Sequence, residues 1–353
     1  VRLTHIDGHL PNLALMKLAA YHRERGDEIH FKTRVRRDMF EPDYDRVYAS
    51  TIFASSAPRV AILRREFPGA IVGGTGLVNE PGYNWRTVEE ELGLDSFERY
   101  DYSIYDYQGF TASVGRTQIG CRLRCGFCVV PLKEGAPRTT NTMFDIWRGD
   151  PYPRHVHLLD NDLFGQPREQ WEARIEEMRM GRFRVSISQG INLRLIGRDH
   201  AKAITHIPYY DKTFTKRRLY TAFDNMRDVA TFTRGMQHLV DAGVKPRHVE
   251  VYMLTGYDPS ETWERLLQRY ETIVRFGAKP FPMVFERAPR VSGNGLAWHE
   301  LKAFQRWALR SAKFGIPWTE YRVSVRSSHN DPRRSIPLPI EPQKGSKTSG
   351  EAA

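Results

Sequence analysis

Long apolar runs are missing from this 353-residue chain, and so is any scatter of cysteines. No stretch approaches the roughly 18 apolar residues that a helix needs to cross a bilayer, so a membrane protein is not expected. The only cysteines are Cys121, Cys125 and Cys128. A secreted disulfide scaffold would spread an even number along the chain. An odd count crowded into one segment points to a reducing compartment, the cytoplasm, and to metal. Acidic residues are in deficit, with 42 Asp and Glu against 53 Lys and Arg, a formal net charge of +11. The excess is concentrated, because residues 182–218 hold nine basic side chains against Asp199 and Asp211. Such a segment fits a polyanion, a nucleotide or a phosphorylated substrate, or else a solvated face. Residues 1–7 lack the apolar stretch of a signal peptide and read as a strand already under way. A first residue other than Met is what an alternative start codon or a trimmed end would leave.

What is present is globular. Hydrophobic residues make up 40%, and 18 Phe, 16 Tyr and 7 Trp exclude a mainly disordered chain. At roughly 150 residues per domain the length predicts two domains. Short strands at 2–6, 28–31, 46–49 and 70–72 alternate with helical spacing at 13–25, 57–67 and 85–92, which predicts a small Rossmann-like parallel-sheet domain over 1–99. Gly73-Gly74-Thr75-Gly76 follows the fourth strand, at the sheet edge that lies over a ligand crevice. The dinucleotide fingerprint belongs after the first strand, so a nicotinamide dehydrogenase is excluded.

A Tyr-rich connector spans 100–111. Beyond it the alternation resumes with strands at 113–118, 154–160, 183–189, 218–224, 248–255 and 280–286. Helices are expected at 168–180, 198–206, 228–242 and 261–276, and a last one at 298–314. The pattern predicts a partial (β/α)6 barrel over 112–325 with a C-terminal helix. Several strands end in polar residues, at Asp160, Gln189, Asp224 and Thr255, and in parallel barrels that edge carries the chemistry. Residues 326–353, rich in Ser, Pro, Gly and Lys, read as a mobile tail.

Cys121-Arg122-Leu123-Arg124-Cys125-Gly126-Phe127-Cys128 follows the first barrel strand directly. Three thiolates at this spacing hold three irons of a [4Fe–4S] cubane, and the fourth iron is left open for an external ligand. Gly120 and Gly126 let the loop wrap closely, and Phe127 supplies an apolar wall. Two other readings stand beside this one. A zinc site would recruit His155 or His157 as fourth ligand, and a redox pair would use Cys125 and Cys128 and leave Cys121 idle.

On this loop the sequence resembles the radical S-adenosylmethionine superfamily, whose hallmark is the three-cysteine run with an aromatic residue before the last cysteine. The stretch from Gly126 through Lys133-Glu134-Gly135 is similar to a partly phage-borne subgroup. So are Leu158-Leu159-Asp160-Asn161-Asp162, Ser188-Gln189-Gly190-Ile191-Asn192-Leu193-Arg194-Leu195, Ala222-Phe223-Asp224-Asn225 and Pro11-Asn12-Leu13-Ala14-Leu15-Met16-Lys17. The resemblance implies a cluster that chelates S-adenosylmethionine and cleaves it reductively. The resulting 5′-deoxyadenosyl radical would abstract hydrogen or support cobalamin-assisted methylation. It also implies an external flavodoxin- or ferredoxin-like electron donor.

Carried onto this chain, Asp160, Asn161 and Asp162 stand where the superfamily's Gly-Gly-Glu segment meets the methionyl amine, although the residues differ outright. An ordinary turn is the other reading of these three. Ser188, Gln189 and Arg194 would meet ribose hydroxyls and the carboxylate, or else cap a helix. Asp224 ends the fourth strand, and Thr255 and Gly256 stand at the adenine-contacting strand. Glu286 would face substrate or pair with Arg287 or Arg290. With only three cysteines, a second cysteine-bound cluster within this chain is excluded.

Members of this group pair the barrel with a cobalamin-binding-like domain. Asp7-Gly8-His9-Leu10-Pro11-Asn12 begins like the Asp-x-His-x-x-Gly cobalamin loop but has Asn12 at the last position. His9 would be the cobalt ligand, and Ser50, Thr51, Gly73 and Gly74 would line the pocket. The alternative is a degenerate scaffold covering the barrel mouth. A further alternative for the whole chain is a non-catalytic iron–sulfur protein that binds nucleic acid through its basic segment.

Overall fold

The computed structural model describes residues 1–93, 98–285, 296–311 and 315–321. Glu286 and the proposed tail lie outside them. The chain is mixed α/β with parallel sheets, and it divides into two compact units. The first takes Val1–Asn192, Ile196–Tyr220 and Asp241–Val244; the second takes Leu193–Leu195, Thr221–Val240 and the described residues from Lys245 onward.

The first unit opens with β1 (Arg2–His5), α1 (Leu13–Arg23), β2 (His30–Lys32), β3 (Val47–Ser50), α2 (Ala57–Glu66), β4 (Ile71–Gly73) and α3 (Val88–Leu92). The strands form one parallel sheet in the order β2-β1-β3-β4, with Arg2 opposite both His30 and Val47. Helix α1 starts where the Asn12 side chain accepts the Leu15 N–H at 3.2 Å, a cap that satisfies an otherwise orphaned donor. Its apolar stripe, Leu15, Met16, Leu18 and Ala19, is buried with Leu3 and Tyr48. A second apolar cluster joins Ile6, Val47 and Ala49 to Val60 and Leu63 of α2. Each such side chain contributes about 1.5–3 kcal/mol on leaving water.

The connector is more than a spacer. It coils into a 3-10 turn, Tyr102–Gln108, whose Tyr102, Ile104 and Tyr105 join the α1 cluster. The Tyr105 hydroxyl accepts the Asn12 N–H at 3.1 Å and meets His5 Nδ1 at 3.1 Å, while Tyr102 exchanges hydrogen bonds with the backbone of Val114.

The first unit continues with β5 (Ser113–Gly115), β6 (Gln118–Ile119), α4 (Val130–Lys133), β7 (Arg138–Thr139), α5 (Met143–Ile146), β8 (His155–Leu158), α6 (Arg168–Met180), β9 (Arg184–Ser186) and α7 (Arg198–His206). Strands β5, β8 and β9 form a parallel sheet in that order. The single strand expected over 113–118 is broken in two. Asp160 draws the Thr117 and Gln118 N–H groups onto its carboxylate at 2.7 and 3.1 Å, which turns the chain out of the β5 ladder. Released from that ladder, β6 pairs antiparallel with β7 instead.

A third sheet has the order β10-β11-β12, from β10 (Leu219–Ala222), β11 (Val249–Thr255) and β12 (Lys279–Val284), with β11 and β12 parallel. Along β11 the buried residues are Val249, Val251, Met253 and Thr255, the period of two that a half-covered strand requires. The second unit also holds α8 (Val229–Asp241, except its last residue), α9 (Trp263–Arg275) and α10 (Trp298–Arg306). The helix expected over 298–314 stops early, passing at Trp307–Ser311 into a π turn. There Trp307 packs with Phe304 and Trp318 at ring separations of 5.4 and 5.7 Å. No helix among the described residues is long and apolar enough to cross a membrane.

Candidate functional site

The cysteines lie on a loop that the fold closes at its neck. Gln118 and Ile119 pair with Thr139 and Arg138. One step further along, the Cys121 N–H donates to Gly135 O at 3.3 Å and the Gly120 N–H donates to Glu134 Oε2 at 3.1 Å. Gly120 has φ +83°, and a Cβ there would lie 2.3 Å from Ala136 O, so only glycine lets the two sides of the neck approach. Within the loop, Cys128 N–H donates to Cys125 O at 2.9 Å just before α4 begins.

All three thiols are free and partly exposed. Burial pushes the Cys121 thiol up, opposed by the Leu123 N–H, while Asp162, Cys128 and Cys125 push it further; the three sulfurs are therefore within electrostatic reach. Reduced, partly exposed thiols on one closed loop fit the donor set of a cubane with one open iron. Among the described residues no three His, Cys, Asp or Glu side chains already converge on an ion position, so the thiols would have to swing together to grip one. Neither zinc partner is turned to the task. The His155 ring stacks on Phe214 at 4.6 Å, and the His157 ring lies against Phe110 and Phe214.

Three carboxylates hold the chain around Cys121. Asp160 is fully buried; besides the two amides it accepts the Thr117 hydroxyl, and burial, only partly offset by those donors, raises it to about 6. Asp162 takes Arg122 through Nε at 2.7 Å and Nη2 at 3.0 Å, and its own N–H donates to Gln118 Oε1 at 2.9 Å. Glu134 takes Arg116 Nη1 at 3.0 Å and Asn161 Nδ2 at 2.6 Å. The two acids expected to meet an amine are thus spent inside the protein. Asn161, between them, lines a cavity.

That cavity, about 810 Å³, belongs wholly to the first unit. Its wall includes the turns after β1, β3 and β4, with His9, Ser50, Gly73 and Gly74, as well as Gln189. It reaches the neck of the cysteine loop at Ile119, Lys133 and Glu134 but does not include the cysteines. Of the residues expected to hold cobalamin, His9 is exposed, while the Ser50 Oγ accepts Asn12 Nδ2 at 2.9 Å. Thr51 gives its hydroxyl to Asp7 at 2.8 Å, and a Cβ on Gly74 would lie 2.0 Å from Thr51 O. Gly74 thus serves the packing of one turn on another, and His9 and Ser50 are the members of the set that offer polar side-chain atoms along the cavity.

The remaining expected contacts are placed as follows. Phe127 is partly buried and Ser188 half-buried in the first unit. Arg194, Asp224, Thr255 and Gly256 belong to the second unit. Arg194 pairs with Asp228 at 3.3 Å. Asp224 accepts the Leu254 N–H at 2.9 Å, and burial raises its carboxyl. Thr255 is fully buried, with its hydroxyl toward Met283 O at 3.3 Å. Gly256 has φ +77° and donates its N–H to Glu261 at 3.2 Å.

The basic segment is partly committed internally, Arg184 to Phe214 O at 3.0 Å and Arg217 to Ile207 O at 3.2 Å and the Tyr209 ring. Residue-type reasoning missed Glu134 and Arg116, whose parts depend on segments meeting in space; the Lys133-Glu134-Gly135 run was the available signal. Comparison of the chain with protein-family models and with curated proteins finds no match.

Proposed function

We propose that the chain is a radical S-adenosylmethionine enzyme in which Cys121, Cys125 and Cys128 hold a [4Fe–4S] cluster. The observation that carries this reading is the neck-closed loop bearing three free thiols and no fourth ligand. When bound, the cluster supplies the electron that cleaves S-adenosylmethionine to methionine and a 5′-deoxyadenosyl radical. The chain's own contribution is to fix the loop and to shape a walled cavity beside it. Asp160 holds the turn at Thr117 and Gln118, Asp162 holds Arg122, and Glu134 holds Gly120. Such supporting contacts keep ligands in place while the chemistry proceeds.

The strands β5 and β8–β12 then form the wall of a partial (β/α)6 barrel. Support comes from their sequential order within each sheet, the parallel pairings and the intervening helices. Cobalamin is the second cofactor of this reading, with His9 and Ser50 as the residues offering it polar atoms. The substrate reading is an anion, a nucleotide or a nucleic acid, supported by the basic segment. An external protein donor would supply the electron.

The test is anaerobic reconstitution with iron and sulfide, then dithionite and S-adenosylmethionine. The expected product is 5′-deoxyadenosine, abolished by Cys125→Ala. Protein that takes up iron and sulfide yet yields none, with or without nucleic acid, would defeat the proposal. An absorption spectrum of protein from cobalamin-supplemented cells, compared with His9→Ala, tests the second cofactor.

A further inference from the structure

We propose that Glu134 is a positioning residue that acts through one carboxylate on two parts of the site. It locks the neck of the cysteine loop, and it sets the Asn161 amide so that the carbonyl oxygen is the atom offered to the cavity, as acceptor for a ligand's ammonium group. The identity of that ammonium, the methionyl one, rests on the S-adenosylmethionine reading; the positioning rests on geometry.

Glu134 brings three segments together. Oε1 receives Arg116 Nη1 at 3.0 Å, while Oε2 receives the Gly120 N–H at 3.1 Å and Asn161 Nδ2 at 2.6 Å. Gly120 directly precedes Cys121, so the same oxygen touches the start of the cysteine loop and the end of β8. A carboxylate paired with arginine can only accept, and this decides the orientation of the Asn161 amide. Its NH₂ must face Glu134, because the reverse orientation would set oxygen against oxygen. The planar amide then turns Oδ1 away from Glu134, and among the described residues Oδ1 accepts no hydrogen bond.

The flanking acids offer no substitute. Asp160 and Asp162 are 0% and 3% exposed and are spent on Thr117, Gln118 and Arg122. Of the three polar residues after β8, the one that lines the cavity is therefore a neutral amide with its acceptor side presented. Such a group welcomes an ammonium and disfavours a carboxylate.

The experiment uses the reconstituted full chain and the variants Glu134→Gln and Asn161→Ala. Three quantities are read: iron and sulfide per chain, binding of S-adenosylmethionine against 5′-methylthioadenosine, and amide hydrogen exchange at residues 116–122. Methylthioadenosine keeps the adenosine and thioether and lacks the ammonium. Both variants should bind S-adenosylmethionine about tenfold more weakly, the loss of one charge-assisted hydrogen bond, and leave methylthioadenosine binding unaltered. Glu134→Gln should also speed exchange at Gly120 and Cys121, which Asn161→Ala should not.

Equal weakening of both ligands, or no weakening of either, would overturn the ammonium role. Unchanged exchange in Glu134→Gln would overturn the neck role. Should the wild-type chain take up no cluster and bind no S-adenosylmethionine, the functional reading falls and the ammonium role with it. The exchange comparison then judges the neck on its own, accelerated exchange supporting it. If Glu134→Gln does not fold, Asn161→Ala with the two ligands still decides the ammonium role.

Discussion

Two glycines of the cysteine-loop neck differ in one respect that a pair of alanine substitutions isolates. Gly120 and Gly135 both have left-handed backbone, φ +83° and +72°. Around Gly135 an added Cβ meets nothing within 4 Å; at Gly120 it would lie 2.3 Å from Ala136 O and 2.7 Å from Gly135 O. Gly135→Ala should therefore cost only the left-handed conformation, about 1–2 kcal/mol. Gly120→Ala incurs that cost and also forces the opposite backbone to retreat. The retreat breaks Cys121 N–H to Gly135 O and Gly120 N–H to Glu134, about 1 kcal/mol each.

The expected total for Gly120→Ala is about 3–4 kcal/mol, roughly 2 kcal/mol beyond its neighbour. The stiffening of the unfolded chain is common to both and cancels in the comparison. Urea titration of the two variants side by side gives the difference, and iron uptake on reconstitution should fall in Gly120→Ala and be retained in Gly135→Ala. Equal stability and equal uptake would refute the closed neck.

Two further expectations concern buried charge. His157 is 4% exposed, and burial, with a smaller push from His155, lowers it from 6.5 to about 4. The folded state resists a proton that the unfolded state takes at 6.5. Stability is thus complete above that pH and falls between 6.5 and 4, by about 3 kcal/mol at most. His157→Phe, set among Phe110 and Phe214, should flatten that acid limb in urea titrations at stepped pH, and an unchanged limb would argue against it. In the second unit Arg269 is fully buried and ties Phe223 O, Leu254 O and Glu261 together. Arg269→Leu strands a buried carboxylate and should cost about 3–5 kcal/mol, whereas the double change with Glu261→Gln should recover part of it in the same assay.

How far the sequence could be read follows from the range of the interactions concerned. Helices α6 and α7 and the parallel sheet of the first hundred residues were legible because apolar periodicity is local. The break between β5 and β6 was not, since it depends on a carboxylate more than forty residues away, Asp160. The connector could be recognised by its tyrosines, but the burial of Tyr102 and Tyr105 against α1 could not. At the site the cysteine spacing was visible at once. That Asp160 and Asp162 turn inward while Asn161 lines the cavity required the fold. Glu134 illustrates the limit: its three partners come from residues 116, 120 and 161, and no pattern along the chain brings those together.

The central claim is that three thiols bind a cubane whose remaining iron is free to take S-adenosylmethionine. Electron paramagnetic resonance of the anaerobically reconstituted, dithionite-reduced chain, recorded before and after adding S-adenosylmethionine, tests it most directly. The account predicts the signal of a reduced [4Fe–4S] centre that changes shape on addition and is lost in Cys121→Ala. A signal indifferent to S-adenosylmethionine, or a chain that binds zinc in place of iron and sulfide, would contradict it.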